Sequence, residues 1–325
     1  MIEIKWAVLG CGVIANEMAV ALQKNGKNIY AVGNRTHEKA AAFAEKYGIG
    51  KVYDDFHEMF TDPEVDVIYI TTPHNTHLGF MKEAIANGKH ILVEKSITLN
   101  SDELDEAIAL AKEKGVIIGE AMTIYHMPIY KELKKILDSG RLGRVNLITM
   151  NFGSFKEYNM KNRFFNRNLA GGAMLDIGVY ALSFIRWFFD SKPDQLLSQV
   201  KPAPTGVDEQ AGLLLTNQEG QMASVMLSLH SKQPKRGMVS CENGFIEIME
   251  YPRAWEAKIT DASTGESKII KAGDNADALA YELADMERAI SGDASAMHLD
   301  YTKDVMDLMT SFRRTWGYTY PEEEK

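Results

Sequence analysis

The sequence has little cysteine, no excess of positive charge and no long apolar run, and each absence excludes a class of protein. Its 325 residues include only two cysteines, Cys11 and Cys241, which form no disulfide framework. The formal net charge is -9, so neither nucleic acid nor an anionic membrane is expected as a partner. No stretch approaches the roughly 20 apolar residues of a spanning helix. The chain also opens on a strand rather than a leader, and we expect a cytoplasmic protein.

What the sequence does have is a glycine-rich turn near its beginning. An apolar run at residues 4–9 predicts a strand, and a helical pattern follows to about Lys24. Between them lies the G-x-G-x-x-A form of the dinucleotide-binding fingerprint. An ordinary glycine turn is the alternative, but the strand before it and the helix after it favour a nucleotide site. The residues predicted to contact the cofactor here are Gly10, Gly12, Val13 and Ile14.

The pattern of strands and helices changes about a third of the way along the chain. Before residue 122, buried strands alternate with helices, which predicts a doubly wound parallel Rossmann sheet. Beyond it, several strand-like stretches between residues 195 and 270 predict a mainly antiparallel open sheet with helices on one face. We therefore predict an α/β fold with a cofactor-binding domain at 1–122 and an α+β domain for substrate binding and dimerisation at 123–325.

The end of the second predicted strand favours one nicotinamide cofactor over the other. NAD sites usually place a carboxylate there for the ribose hydroxyl, whereas this chain has Asn34 and Arg35. A guanidinium can grip a 2′-phosphate with two hydrogen bonds. A solvated surface arginine is the alternative. We predict that NADP is favoured, with NAD possible, and that both residues contact the cofactor.

Two further polar segments follow predicted strands and should lie at the same edge of the sheet. The first contains Thr72, His74 and His77, which we interpret as a helix start with cofactor contacts. The two histidines are three residues apart, but no carboxylate or thiolate nearby completes a metal site, so none is predicted. The second contains Glu94 and Lys95, which we also predict to contact the cofactor, and the Lys95 ammonium is suited to a substrate oxygen. A strand-end lysine paired with Glu94 is the alternative.

A glycine pair in the second half precedes a helix with two polar groups. Asp176 and Tyr180 are four residues apart, so both lie on one face of a mostly apolar helix. A carboxylate and a phenol projecting together indicate a polar site. A helix-start aspartate and a packed tyrosine are the alternative.

Taken together and in this order, these motifs resemble the glucose–fructose oxidoreductase / inositol dehydrogenase (Gfo/Idh/MocA) family, in particular its dimeric dihydrodiol dehydrogenase branch. The resemblance implies that Lys95 and Tyr180 are the catalytic pair, with Asp176 beside them. The chain departs from the family at Ser96, which replaces a proline, and at residues 123–126, which line the substrate side in relatives.

The expected function is an NADP-dependent oxidoreductase that acts on a secondary alcohol or carbonyl of a sugar, polyol or trans-dihydrodiol. Two alternatives stay open: an NAD-dependent glycoside hydrolase of the same fold, and a non-catalytic NADP-binding sensor. Retention of all three candidate catalytic groups argues against a sensor. We also expect a homodimer in which the open faces of two sheets, including residues 221–231, pack together.

Overall fold

The computed structural model of the protein describes residues 4–324 and contains two sheets. The strands are β1 Trp6–Leu9, β2 Ile29–Gly33, β3 Lys51–Tyr53, β4 Val67–Ile70, β5 His90–Glu94, β6 Ile118–Ala121, β7 Val145–Gly153, β8 Gln195–Pro202, β9 Asp208–Thr216, β10 Met222–Ser228, β11 Gln233–Cys241, β12 Gly244–Met249, β13 Glu256–Asp261 and β14 Ser267–Lys271. The α-helices are α1 Val13–Lys24, α2 His37–Tyr47, α3 Phe56–Thr61, α4 His77–Ala86, α5 Ser101–Lys114, α6 Thr123–His126, α7 Pro128–Asp138, α8 Val179–Phe188, α9 Ala278–Ile290 and α10 Leu299–Trp316.

The first sheet is parallel, six-stranded and ordered β3-β2-β1-β4-β5-β6. Every side chain of β1 and β4 is buried, as expected for strands with both faces covered. The order reverses between β1 and β4, and ligands of such sheets bind beyond the carboxyl ends of the strands at that point. The predicted Rossmann fold is confirmed.

The second sheet has eight strands in the order β14-β13-β12-β11-β7-β10-β9-β8, all antiparallel except for the pair β7 and β10. Along β10, the side chains of Ala223, Val225 and Leu227 are buried, whereas Met222 and Met226 on the opposite face are exposed. This alternation is typical of a sheet with one face on the core and one open, and the predicted mainly antiparallel sheet is confirmed.

The chain forms two compact units, and their division differs from a single boundary at residue 122. The first unit contains residues 4–121 and 279–299, and the second contains 122–278 and 300–324. Within the first unit, the indole N–H of Trp6 donates to the Glu287 carboxylate at 3.3 Å. Met297 packs so closely on Gly119 that a methyl group on that glycine would collide with it. Segment 279–299 therefore belongs with the first sheet, although sequence analysis assigned it to the second domain.

Three local features differ from the sequence-based expectation. Sequence analysis did not predict strand β3 or helix α3, because each is too short to show a clear periodicity. The sequence predicts Thr36 as the cap of the helix that follows β2, and Thr36 is the N-cap of α2, but its side chain makes no capping hydrogen bond. The predicted helix around residue 175 begins with a π-helical turn, Met174–Gly178, before continuing as α8.

Sequence analysis expected no apolar run of spanning length, but one helical segment among residues 4–324, at 167–188, is long and apolar enough to cross a membrane by length and composition. However, 83% of its most apolar window is buried inside the protein. Burial of this kind is typical of a core helix in a folded domain.

Candidate active site

The glycine-rich turn at the end of β1 has the geometry that a pyrophosphate requires. Gly10 has a φ of +108°, which side chains rarely allow, and a methyl group there would collide with the Thr71 hydroxyl. By contrast, a methyl group on Gly12 would project into open space. The Thr71 N–H donates to the Leu9 carbonyl at 2.9 Å, which joins the ends of β1 and β4. The turn is thus closely packed against Thr71 at Gly10 and open to solvent at Gly12.

The first turn of α1 is suited to an anion. Gly12 is the N-terminal cap and offers no side chain to satisfy the helix N–H groups. Val13 follows it with 80% of its side chain exposed, and Ile14 is half-buried. Burial raises the pKa of the Cys11 thiol to about 11, so this residue stays neutral and does not repel a phosphate. The residues present therefore fit a dinucleotide.

Two cations lie between the end of β2 and the first turn of α2, where sequence analysis identified one. Asn34 donates from its amide to the Thr36 carbonyl at 3.0 Å, which shapes the turn, and Arg35 is exposed. Lys39 lies close enough to Cys11 for its charge to act on the thiol. Sequence analysis missed Lys39, which lies in the first turn of α2 and reaches the glycine turn only in the folded chain.

The loop after β5, which contains Lys95, is fixed through its backbone by two histidines. His74 Nε2 lies 3.0 Å from the Lys95 carbonyl oxygen. His77 is fully buried, with Nδ1 3.0 Å from the Ser96 carbonyl oxygen and Nε2 2.8 Å from that of Thr72. Burial lowers the pKa of His77. These contacts connect the segment after β4 to the Lys95 loop.

Two carboxylates complete the support of this loop. The N–H of Ile97 donates to Glu120 Oε1 at 3.0 Å, and Glu120 is only 1% exposed at the end of β6. The Tyr69 hydroxyl donates to the Glu94 carboxylate. Sequence analysis missed the contribution of Glu120, whose signal was an acidic residue inside an apolar strand. Lys95 therefore lies at the carboxyl edge of the parallel sheet, in a loop whose backbone is held by hydrogen bonds with His74, His77 and Glu120.

The two candidate groups of the second unit lie on one stretch of helix. Asp176 belongs to the π-helical turn and is 8% exposed, and Tyr180 lies in the first turn of α8 and is partly exposed. Arg163 approaches Asp176 at 3.8 Å, a partner that sequence analysis did not identify. The Tyr180 ring lies 6.2 Å from that of Phe152. Such π-helical turns occur frequently at functional sites.

The sequence-predicted residues thus fall into two groups. The glycine turn, Arg35 and the Lys95 loop all follow strands of the parallel sheet in the first unit. Asp176 and Tyr180 belong to the second unit. The convergence of Lys95 with this pair stays a prediction. Within residues 4–324, no group of three or more His, Cys, Asp or Glu side chains is placed to hold a metal ion.

Comparison with known proteins gives matches along most of the chain. A family model described as "Oxidoreductase family, NAD-binding Rossmann fold" matches residues 4–122, and the "GFO/IDH/MocA C-terminal domain" matches 130–247. The trans-1,2-dihydrobenzene-1,2-diol dehydrogenase of Xenopus tropicalis is 31% identical over 75% of this chain and 74% of its own length.

Solved structures share the whole architecture. A 3-ketoreductase from Actinomadura kijaniata, solved with NADP and TDP-benzene, has a TM-score of 0.84 at 20% identity and covers 96% of this chain and 97% of its own. An aldose-aldose oxidoreductase from Caulobacter crescentus has a TM-score of 0.85 at 22% identity, with the same coverage of 96% and 97%.

Proposed function

This chain belongs to the Gfo/Idh/MocA family of NAD(P)-binding oxidoreductases, and we propose that it uses NADP to interconvert a secondary alcohol and its carbonyl in a diol, polyol or sugar. The observation that carries the proposal is the position of Lys95. Its loop follows β5 at the carboxyl edge of the sheet that begins with the glycine turn. Histidine and carboxylate contacts hold the backbone of that loop in place, which supports a position of the Lys95 ammonium beside a cofactor at this edge.

The preference for NADP is supported by the charges at the end of β2. Arg35 is exposed there, and the charge of Lys39 acts on the neighbouring glycine turn. No carboxylate occurs between Gly33 and Thr36 to repel a phosphate or to select the ribose hydroxyl of NAD. Arg35 and Lys39, with no carboxylate at the strand end itself, favour a 2′-phosphate, although Glu38 and Asp54 also lie at the start of α2.

The candidate catalytic groups divide the work on the substrate oxygen. The bound nicotinamide supplies or accepts the hydride. Tyr180 exchanges the hydroxyl proton as general acid or base. A free phenol has a pKa of about 10 and is a weak base near neutral pH, so the role requires the Lys95 ammonium beside it. Lys95 also stabilises an alkoxide-like transition state, and Asp176 orients these groups or a second substrate hydroxyl.

We propose a homodimer formed through the open face of the second sheet. Leu197 of β8 lies opposite Leu214 of β9, and Met226 of β10 lies opposite Gly212. These side chains line a groove of about 680 Å³ on a face that exposes apolar residues across several strands. Association of two copies through the same face gives a closed twofold dimer. A cytoplasmic location is part of the same proposal.

A panel of substrates and both cofactors tests the proposed activity. The panel contains trans-1,2-dihydrobenzene-1,2-diol, glucose, xylose and myo-inositol, each with NADP⁺ or NAD⁺, and nicotinamide absorbance is the readout. We expect turnover with NADP⁺ to exceed that with NAD⁺, and Arg35→Asp to reverse this order. Lys112→Asp is the matched control, because Lys112 is exposed in the last turn of α5, in the same unit.

Equal affinity of the wild type for the two cofactors would contradict the NADP assignment. Cleavage of a glycoside without net change in nicotinamide absorbance would instead indicate the hydrolase. Cofactor binding without turnover of any compound, in both reaction directions, would indicate the sensor.

A further inference from the structure

A buried carboxylate lies at the start of the helical segment that carries the candidate catalytic groups. Asp208 begins β9 and is only 1% exposed. Its Oδ2 accepts a hydrogen bond from the N–H of Met174 at 2.5 Å. Met174 is the first residue of the π-helical turn, so the Asp208 carboxylate caps the segment that presents Asp176 and Tyr180.

The C-terminal segment holds the same turn from another side. The hydroxyl of Tyr320, which is 3% exposed, donates to the Gly171 carbonyl at 2.7 Å. Between the two contacts, Gly172 has a φ of +125°, and a methyl group there would collide with the Asp208 carboxylate. The same methyl group would lie 3.5 Å from the Tyr320 hydroxyl. The turn before the catalytic helix is therefore closely enclosed by Asp208 and Tyr320.

One buried arginine connects these two supports. The Arg313 guanidinium, on α10, pairs with both oxygens of Glu323 at 2.8 and 2.7 Å and lies over the Tyr320 ring at 4.6 Å. Glu323 also accepts the backbone N–H of Tyr320 at 2.7 Å. The positive charge of Arg313 acts on Asp208 as well. A bidentate pair fixes direction as well as distance, so the C-terminal segment has a defined position against the turn.

Burial disfavours the ionised form of the Asp208 carboxyl group. It raises the pKa of Asp208 to about 7, although the N–H groups of Met174 and Ala173 and the charge of Arg313 act in the other direction. Tyr318 and Tyr320 also face it from the C-terminal segment, and burial raises the pKa of both phenols. Among these groups, only Asp208 changes its charge near neutral pH. Perturbed carboxylates of this kind concentrate at functional sites.

We propose that Asp208 is a positioning residue which, together with the C-terminal segment Tyr320–Glu323, fixes the orientation of Asp176 and Tyr180 toward the substrate oxygen. The inference rests on the proposed function, because it assigns these two side chains to the reaction. The Asp208 carboxylate acts by accepting hydrogen bonds from the start of the π-helical turn. The Tyr320 hydroxyl acts by holding the Gly171 carbonyl.

Asp208→Asn and Tyr320→Phe test the inference, with Glu209→Gln as a matched control. Glu209 adjoins Asp208 on β9 and is 3% exposed, but its carboxylate accepts from Lys201 and Tyr158 instead. The assay is turnover of trans-1,2-dihydrobenzene-1,2-diol with NADP⁺. We expect Asp208→Asn to lower kcat about 10- to 100-fold and Tyr320→Phe about 3- to 10-fold. The dissociation constant of NADP⁺ should stay unchanged in both.

The pH profile separates a positioning role from a purely structural one. In the wild type, kcat should fall as the pH decreases through about 7, because protonation removes the acceptor charge of Asp208. Asparagine does not titrate, so Asp208→Asn should lack this inflection while Glu209→Gln keeps it. Hydrogen exchange at amides 173–178 should rise in Tyr320→Phe and not in Glu209→Gln. This readout needs no substrate.

Wild-type kcat and an unchanged profile in Asp208→Asn, or unchanged exchange in Tyr320→Phe, would overturn the inference. Tyr180→Phe is assayed in parallel to separate the two proposals. If Tyr180→Phe loses turnover and Asp208→Asn does not, only the positioning role is wrong. If Tyr180→Phe also keeps wild-type turnover, the proposed catalytic pair fails.

Discussion

The two sheets of this protein differ in how much of their surface is covered. In the parallel sheet, β1 and β4 are buried on both faces, and the polar groups of interest follow the strands at one edge. In the antiparallel sheet, one face carries the core and the other exposes apolar side chains. The large apolar residues exposed on its strands are Leu147, Leu197, Leu214, Met222, Met226, Met249 and Ile269.

This difference indicates where each unit can interact with other molecules. A sheet covered on both faces offers a ligand only its edge, which is where the glycine turn and the Lys95 loop lie. A sheet with an open apolar face is suited to a large flat partner. The candidate catalytic groups of the second unit are not on its sheet but on the π-helical turn and α8.

The largest effect is expected when either unit loses its candidate catalytic group. Lys95→Ala removes an ammonium from the first unit, and Tyr180→Phe removes a hydroxyl from the second. General acid–base groups typically contribute about 10²–10⁴-fold, so Tyr180→Phe should lower kcat by that order, and Lys95→Ala by at least as much. The measurement is steady-state turnover, with NADP⁺ affinity of Tyr180→Phe determined by direct titration.

If both units act on one substrate oxygen, the two losses should be far from additive in the double variant. Tyr281→Phe is the control for the tyrosine substitution, since it lies on α9 in the first unit. Wild-type turnover in Tyr180→Phe, measured where chemistry limits the rate, would remove the second unit from the reaction.

Sequence analysis predicted the parallel sheet and its edge better than the local supports. Glycine turns, buried strands and strand-end polar residues have local signals, and the structure places them as expected. Contacts such as Glu120 with the Ile97 N–H, or Arg163 near Asp176, join residues far apart in the chain. No periodicity encodes them. The same reason explains why the place of segment 279–299 in the first unit has no sequence signal, since Met297 meets Gly119 only in the folded chain.

The π-helical turn is a third case of limited predictability. An apolar helix was expected near residue 175, and its helical periodicity gave no sign of the turn's wider winding. Asp208 and Tyr320 enclose the glycine pair before this turn, and both are distant in sequence. Neither the π-helical turn nor the residues that support it therefore has a signal in the local sequence.

A second test compares one buried carboxylate from each unit. Burial favours the neutral form of both, but hydrogen bonds from Lys51 and Tyr53 outweigh it at Asp62 and lower that pKa. At Asp208 burial prevails and raises the pKa to about 7. The folded state therefore holds a proton on Asp208 between about pH 4 and 7, where an unfolded aspartate has released it.

Wild-type unfolding free energy, measured relative to Asp208→Asn, should thus be highest near pH 4 and decline by a few kcal/mol as the pH rises to about 7. Relative to Asp62→Asn, the wild-type unfolding free energy should be constant between about pH 4 and 7 and decline only in stronger acid. The reason is that the ionised Asp62 carboxylate, whose pKa is lowered in the folded state, stabilises the fold until acid protonates it. Denaturant titrations at several pH values give both differences. A flat Asp208 difference between pH 4 and 8 would contradict the assignment.

The smallest effect concerns the open sheet face and is measured as association. Met226→Lys places a charge within the exposed apolar face of the second sheet, where Met226 is 58% exposed. In a twofold dimer the substitution occurs twice at one interface, so we expect the dimer dissociation constant to rise at least about tenfold. Val20→Lys is the matched control, because Val20 is 55% exposed on α1 of the first unit. Sedimentation at micromolar concentration should show dimers for the wild type and Val20→Lys, with monomers accumulating for Met226→Lys. A monomeric wild type would mean that the open face serves no self-association, and equal weakening by Val20→Lys would mean that the two units do not differ in this respect.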